Sequence, residues 1–384
     1  MEEIITPVKT GVHIVIDYYR ATFDFRYSSD DNELADVLDI VKSFANFLNF
    51  DDSETFDMPY GKGRYKYLYR FGETINLYIK GPVNAYGMHT CSIELKGQGC
   101  REFERKNPEK TWYDFLLHLC GFFDVNTTRI DIAIDDYEGK DVTFNWIKNK
   151  LDNKEYITTF KRKYYKIHGC DEEGYSLEFG SRTSNQMLVI YEKHKEQLHK
   201  NGVCVQDYWT RFEMRFMHDK GQRVVNDLIE NYKKSESDFT KFVFGIFYTM
   251  LDIKESSNYN DKNIYKEDTD SNWLSFLNDV EKATITKPDK KEMKWNKFNN
   301  YVRQSLNKFL LVKFLLANKS NFQFNKELLK ELRLGLDSII EDKNKINQVN
   351  GYLKDNGSNI INTEEIKNVM DVVGNLLEDM EVPF

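Results

Sequence analysis

Two short stretches place acids and arginines together on one side of a strand. In TRIDIAIDDY, alternation puts Ile130, Ile132 and Ile134 on one face and Arg129, Asp131, Ala133 and Asp135 on the other. WTRFEMRF repeats the pattern, with Phe212, Met214 and Phe216 opposite Arg211, Glu213 and Arg215. A solvated outer face has the same signature, although the small Ala133 leaves room between two acids for an ion or a substrate. If the two strands are neighbours, Asp131 and Glu213 can jointly bind a hard divalent cation, which takes oxygen ligands.

Two further stretches carry groups suited to phosphate. In HTCSIELKGQGCREFE, Glu94 shares a face with Ser92 and Lys96, and Gly97 and Gly99 permit a tight turn with positive φ before a helix beginning near Arg101. Free N–H groups at such a helix start suit a phosphate, and an ordinary strand-to-helix turn reads the same way. In FGSRTSNQMLVIYEKHKEQ, Tyr191 closes an apolar strand beside Lys193, with Arg182 in the preceding turn. A tyrosine attacking phosphate needs its phenolate stabilised and the non-bridging oxygens neutralised. Arg182, Lys193 and the run FKRKYYKIHG, with Lys161, Arg162 and Lys163, can supply that charge. Lysines interleaved with aromatics also suit single-stranded nucleic acid. Against this, the chain has 23 tyrosines, and packing at a strand end is the plain alternative for any one of them.

Some chemistry is missing from the sequence. No G-x-x-x-x-G-K-[ST] motif occurs, which argues against ATP-driven work, and no H-E-x-x-H occurs among the seven histidines. Any metal site is therefore expected to be built from carboxylates. The cysteines at 91, 100, 120, 170 and 204 form no C-x-x-C pair and fit a reducing cytosol. No apolar run reaches membrane-spanning length, so a cytoplasmic protein with no membrane partner is expected. The net charge of -8 speaks against a polyanionic partner only if charge is spread evenly, and here the basic residues cluster.

The elements that must position these groups alternate in period. GVHIVIDYYRATFDFR reads as a strand, ELADVLDIVKSFANFL as an amphipathic helix, and GRYKYLYRFG, TINLYIKG and HTCSIELKG as a meander. A second round follows, from the helical TWYDFLLHLCGFF through TRIDIAIDDYEG, a helix near 142–151, further strands and a basic helix to WTRFEMRF. The fold class is α+β: antiparallel sheets with packed helices, read as two related sheet-and-helix units forming a curved DNA-binding body, plus a helical C-terminal region. After Asp219 the chain is expected to be helical, with a flexible polar connection at 255–272. The expected units are 1–109, 110–235 (holding the tyrosine), 236–325 (helical, DNA-recognising) and 326–384, which ends in an acidic tail.

Taken together, IDYYRATF, IELKGQGCREFE, TRIDIAIDDYEG, FGSRTSNQMLVIYEKHKEQ and YWTRFEMRF resemble the replication initiation factor (Rep_trans) family, in that family's order and over about residues 11–310. The family comprises rolling-circle plasmid initiators and related relaxases of integrative conjugative elements. The resemblance implies a tyrosine nickase that forms a 5′-phosphotyrosyl bond with Mg²⁺ or Mn²⁺ and later rejoins the strands. Ile190-Tyr191-Glu192-Lys193 stands where the family has its nucleophile motif, with Glu192 in place of the more usual Asp or Asn. On that basis Tyr191 is the nucleophile, and Asp131 and Glu213 are metal ligands. Glu94 and Asp135 compete for the third ligand position. Arg129, Arg211, Arg215 and the basic segment with Lys287, Lys290, Lys291 and Lys294 are expected on DNA. The implied partners are origin DNA (duplex and single-stranded at the nick site), a second copy of the chain and a host helicase. A first strand beginning near residue 11 leaves no room for the N-terminal helix-turn-helix of some relaxases, which favours a plasmid initiator. The alternatives are a relaxase with the same chemistry, a DNA-binding protein without activity and a protein-binding module.

Overall fold

The computed structural model describes residues 8–25, 33–58, 61, 63–84, 88–122, 125–255 and 264–287, with isolated positions between 350 and 372. The chain divides into two compact units, Met1–Thr286 and Lys287–Phe384. The elements named below all belong to the first.

The first run of elements is β1 (Val12–Phe25), α1 (Glu33–Leu48), β2 (Thr55–Asp57), β3 (Tyr67–Phe71), β4 (Ile75–Ile79), β5 (His89–Leu95), α2 (Gly97–Lys106) and α3 (Trp112–Phe122). The second is β6 (Asn126–Asp136), α4 (Phe144–Asp152), β7 (Tyr156–Thr158), β8 (Lys166–Cys170), β9 (Gly174–Gly180), β10 (Gln186–Glu192), α5 (Lys193–Asn201), β11 (Thr210–Met217), α6 (Asp219–Tyr232) and α7 (Glu236–Met250). Last come β12 (Leu251–Ile253) and α8 (Ser271–Phe276).

Ten strands form one sheet in the order β2-β3-β4-β5-β1-β6-β11-β10-β9-β8, and β12 pairs with β7 in a separate ribbon. Each half repeats one plan: a long central strand, a helix, then strands added from the sheet edge inward until the last lies beside the first. The antiparallel β1–β6 pair is the seam. The two expected sheet-and-helix units are thus halves of one sheet. Helix α3 bridges them, with Phe115 against Tyr19 and Phe103 of the first half and Tyr113 stacked on Tyr232 of α6 in the second.

Alternation decides which face is which. Ile130, Ile132, Ile134, Phe212, Met214, Phe216, Leu188 and Ile190 are all buried on the apolar face, where α6 packs on β6 and β11. In the first half, α1 buries Val37, Ile40, Val41, Phe44, Ala45 and Leu48 at helical spacing and sets Phe44 against Phe23 of β1. Each of the larger of these side chains, Ala45 apart, contributes about 1.5–3 kcal/mol when fully buried. The opposite face therefore collects the polar residues of both halves.

Three expectations are corrected. The chain after Asp219 is not helical throughout: β12 returns to strand, and α8 stops at Phe276, with Asn278 and Asp279 in left-handed backbone. Lys254 and Lys282 both reach Asp252, at 3.1 and 2.6 Å, and pin this extended passage. The helix expected near Arg101 begins at Gly97, and Gly97 and Gly99 lie inside it, not in a positive-φ turn. Here glycine serves close approach: a methyl at Gly99 would lie 3.2 Å from the Thr74 carbonyl oxygen, and one at Gly97 would lie 3.3 Å from Asp17 Oδ1. Within the polar connection, 256–263 lie outside the described residues, while 264–266 form a short 3-10 turn. The helix expected at 299–318 lies outside the described residues, and of the helical segment expected beyond it isolated positions are described, with 350, 364, 367, 368, 371 and 372 helical.

Candidate active site

β6 and β11 are neighbours. Arg215 faces Asp131, Glu213 faces Ala133, and Arg211 faces Asp135, so these side chains share the polar face. Directly paired residues stand about 5 Å apart, and the missing bulk at Ala133 is what opens space in front of Glu213. On the next strand, Val189 faces Glu213 and Tyr191 faces Arg211. The Tyr191 hydroxyl donates diagonally to Glu213 Oε2 at 3.2 Å. Behind it, the Lys193 ammonium lies 5.4 Å from the tyrosine ring centre and pairs with Glu196 at 2.5 Å.

Guanidinium groups neutralise the acids. Arg129 donates to both Asp131 oxygens, at 2.9 and 2.6 Å. Arg215 Nε donates to Glu213 Oε1 at 2.6 Å and lies 3.9 Å from Asp131 Oδ2, standing between the two carboxylates. Arg211 donates to both oxygens of Asp135, at 2.6 and 2.8 Å, and to Asp17 Oδ1 at 2.6 Å. Asp17 reaches it because β1 bulges between Ile16 and Tyr18. Burial pushes the Asp131 carboxyl up to about 7, with the Glu213 charge acting in the same direction against Arg129 and Arg215. Burial, reinforced by Glu213, likewise raises the Tyr191 phenol well above its ordinary value, against the pull of Arg211. The Tyr191 proton therefore needs an acceptor at hand, and Glu213 is the group it already touches.

The site opens into a cavity of about 370 Å³ whose lining includes Tyr191, Arg215, Glu178, Ser176, Val189 and Lys200. Among the described residues, no three His, Cys, Asp or Glu side chains stand together as a metal cage. The pair Asp131 and Glu213 still suits Mg²⁺ or Mn²⁺, because Mg²⁺ uses one or two carboxylates and completes its shell with water and substrate phosphate. Arg215 now takes Glu213 Oε1 and stands near Asp131, so a cation on this pair would have to displace it.

This arrangement can be compared with known proteins. Residues 125–332, more than half of the chain, match the replication initiation factor family model, and residues 13–118 match the rolling circle replication initiation protein N-terminal domain. The chain belongs to the replication initiation factor family. It is 27% identical over 314 residues, 78% of this chain and 80% of the other, to the putative DNA relaxase NicK of Bacillus subtilis (strain 168). A solved rolling circle replication initiator protein from Geobacillus stearothermophilus shares the fold, with a TM-score of 0.55 and 24% identity, covering 72% of this chain and all of that one. The two family models meet between residues 118 and 125, just before β6 begins the second half.

In this family member, the remaining expected site residues fall into different places. Glu94 lies across β1 from the acid pair, and its oxygens are taken by the Tyr18 hydroxyl and, at 2.8 Å, by the Tyr78 hydroxyl. Burial works against its charge, but these hydrogen bonds and the nearby Lys96 and Arg20 charges together hold its pKa below the ordinary value. Asp135 is clamped by Arg211, so neither residue joins Asp131 and Glu213 as a third ligand in this geometry. Arg211, expected on DNA, is only 5% exposed and instead holds two acids in place. Arg129 and Arg215 are partly exposed on the polar face. Arg182 is exposed and lies 3.7 Å from Glu178, a residue of the cavity lining.

Glu192 turns away from the tyrosine beside it. It accepts the Tyr175 backbone N–H at 2.9 Å and pairs with Lys195, fixing the start of β9. The α2 N-terminus, weighed as a phosphate site, faces the Asp17 carboxylate. Lys161, Arg162 and Lys163 are exposed between β7 and β8, and the Lys163 ammonium meets the Tyr265 hydroxyl. Lys287 is exposed; Lys290, Lys291 and Lys294 lie outside the described residues. Sequence reasoning missed Asp17, although IDYYR was in view, because a β-bulge breaks the alternation that assigns a residue to a face.

Proposed function

We propose that this chain initiates rolling-circle replication by nicking one DNA strand at an origin, with Tyr191 as the nucleophile. The observation that carries the reading is the Tyr191–Glu213 hydrogen bond on the face that also holds Asp131. The Tyr191 oxygen attacks the scissile phosphorus in line, Glu213 takes the phenolic proton, and the bond from phosphorus to the 3′-oxygen breaks. The 3′-oxygen takes a proton from water, and a 5′-phosphotyrosyl bond remains. Attack by a 3′-hydroxyl reverses the step without ATP, because the phosphodiester energy is conserved in the tyrosyl ester. Asp131 and Glu213 would hold Mg²⁺ or Mn²⁺, which supplies Lewis-acid polarisation of the phosphate when bound. Arg215, Arg129 and Lys193 offer positive charge to the non-bridging oxygens.

DNA approaches over the polar face, and the exposed Lys161–Lys163 run, followed by Tyr164 and Tyr165, suits the single strand. A plasmid initiator and a conjugative-element relaxase share this chemistry. The test is incubation with supercoiled plasmid carrying the cognate origin and Mg²⁺ or Mn²⁺. A covalent protein–DNA adduct is expected with the wild type and none with Tyr191→Phe; an adduct that persists in Tyr191→Phe overturns the assignment.

A further inference from the structure

The repeated plan of the sheet extends to its side chains. In the second half, Glu213 on β11 faces Val189 of β10, and Tyr191, two residues on, donates to Glu213. In the first half, Glu94 on β5 faces Asn76 of β4, and Tyr78, two residues on, donates to Glu94 at 2.8 Å. Tyr78 and Glu94 thus occupy the places of Tyr191 and Glu213. The correspondence fails around the acids: Arg20 faces Glu94 where Ala133 faces Glu213, and Ser92 with Thr22 stands where Arg211 pairs with Asp135. Where the second half has Asp131, the first has Tyr18, the residue that faces Asp131 across the seam.

That exchange removes the carboxylate pair and with it the cation site. Tyr78 is also only 4% exposed, with its hydroxyl turned to Glu94, so it is not presented to a phosphate. What remains is a cavity of about 460 Å³ lined by Arg20, Arg64, Tyr65, Tyr78, Thr90 and Glu94, with Gly63 and Pro82 at its edge. Its volume lies within the range of small-ligand sites. Arg64 is exposed, Tyr65 is half-buried with its ring 5.5 Å from that of Tyr78, and Arg20 reaches the Ser92 hydroxyl at 3.4 Å. Two guanidinium groups oppose one carboxylate, whose oxygens are already taken by tyrosines.

We propose that the first half carries a second, non-cutting site for single-stranded DNA, in which Arg20 and Arg64 take a phosphate and Tyr65 stacks on a base. The proposal rests on the reading of the polar face as the DNA-binding face. Five strand steps separate β4 from β10, or about 24 Å at the usual strand spacing. At the rise of about 3.4 Å that a strand has in stacked duplex DNA, roughly seven nucleotides cross that distance, and fewer do so if the strand is extended. The half without the acid pair then holds the strand while the half with it cuts, which keeps a nicked strand from leaving the enzyme.

The test uses the full chain and an oligothymidylate of about 20 nucleotides, long enough to span both halves, substituted with 5-iododeoxyuridine. Irradiation should yield adducts on the peptide containing Tyr65 as well as in the second half. Joint Arg64→Ala and Tyr65→Ala substitution should remove the first adduct, keep the second and weaken binding about tenfold by anisotropy. Arg64 is exposed, so Arg64→Glu alone carries the measurement if the double variant melts early. Adducts confined to the second half, with variants binding like the wild type, overturn the second site and leave the Tyr191 reading intact. A wild type that neither binds nor cross-links to the oligonucleotide overturns both.

Discussion

The Tyr191 hydroxyl lies 3.2 Å from Glu213 Oε2, although the two residues are not paired across their strands. Glu213 faces Val189, and the contact runs along the diagonal of the β10–β11 pair, a reach that long or aromatic side chains have. This diagonal gives a deeply held phenol an acceptor for its proton.

Replacing that acceptor should be felt in chemistry and not in binding. Glu213→Gln is expected to slow single-turnover formation of the tyrosyl adduct by about 10²–10⁴-fold, the usual contribution of a positioned base. Oligonucleotide affinity should stay within a few-fold of wild type. Adduct formation at the wild-type rate would remove Glu213 from the mechanism.

Asp131 gives a pH signature with a defined sign. Its folded-state pKa, about 7, lies above the unfolded value, so between about pH 4 and 7 the folded state binds more protons. Its contribution is fully present at low pH and is lost as pH rises through the folded pKa, on the order of a few kcal/mol. Urea denaturation across this window should show the loss, and Asp131→Asn should flatten it. Added Mg²⁺ should raise the melting temperature of the wild type more at pH 8 than at pH 5.5, because the cation favours the ionised carboxylate. Equal shifts at both pH values, or a shift retained in Asp131→Asn, would argue against Asp131 as a ligand.

Arg211 is expected to matter for folding before function. It satisfies Asp135 and Asp17 together in a buried setting, and removing one partner from such a network costs about 3–5 kcal/mol. Arg211→Met should lower the urea midpoint accordingly. Arg211→Lys should not restore it, since an ammonium lacks the fork that spans two carboxylates. A variant as stable as wild type would free Arg211 for the DNA role expected of it from sequence.

The exposed loop between β7 and β8 should report through salt. Lys161→Ala, Arg162→Ala and Lys163→Ala together remove three charges, so the slope of log affinity for single-stranded DNA against log salt should fall by about 2. An unchanged slope would place the strand elsewhere on the polar face.

Much of this was legible in the linear chain. Alternation in TRIDIAIDDY and WTRFEMRF assigned Arg129, Asp131, Arg211, Glu213 and Arg215 to one face, because the period of a strand is fixed by covalent geometry. The helical spacing of α1 was equally plain, since every third or fourth residue from Val37 to Leu48 is apolar. Less visible were features that depend on departures from period. The bulge at Asp17, the tight seat of Gly97 and Gly99 and the return to strand at β12 each answer to a neighbour distant in sequence.

Sequence by itself determined which side chains can do chemistry and which face each strand turns outward, since both follow from residue type and local period. Only the tertiary structure decided which of them meet. Asp131 and Glu213 are eighty-two positions apart, and their meeting depends on β11 returning to lie beside β6 after β8, β9 and β10 have been laid down outside it. The same pairing gave Arg211 to Asp135, while the neighbouring strands gave Arg211 to Asp17, Glu94 to two tyrosines, and the hydroxyl of Tyr191 to Glu213. Strand neighbours are set by packing and loop closure over the whole sheet, a choice that no local pattern encodes.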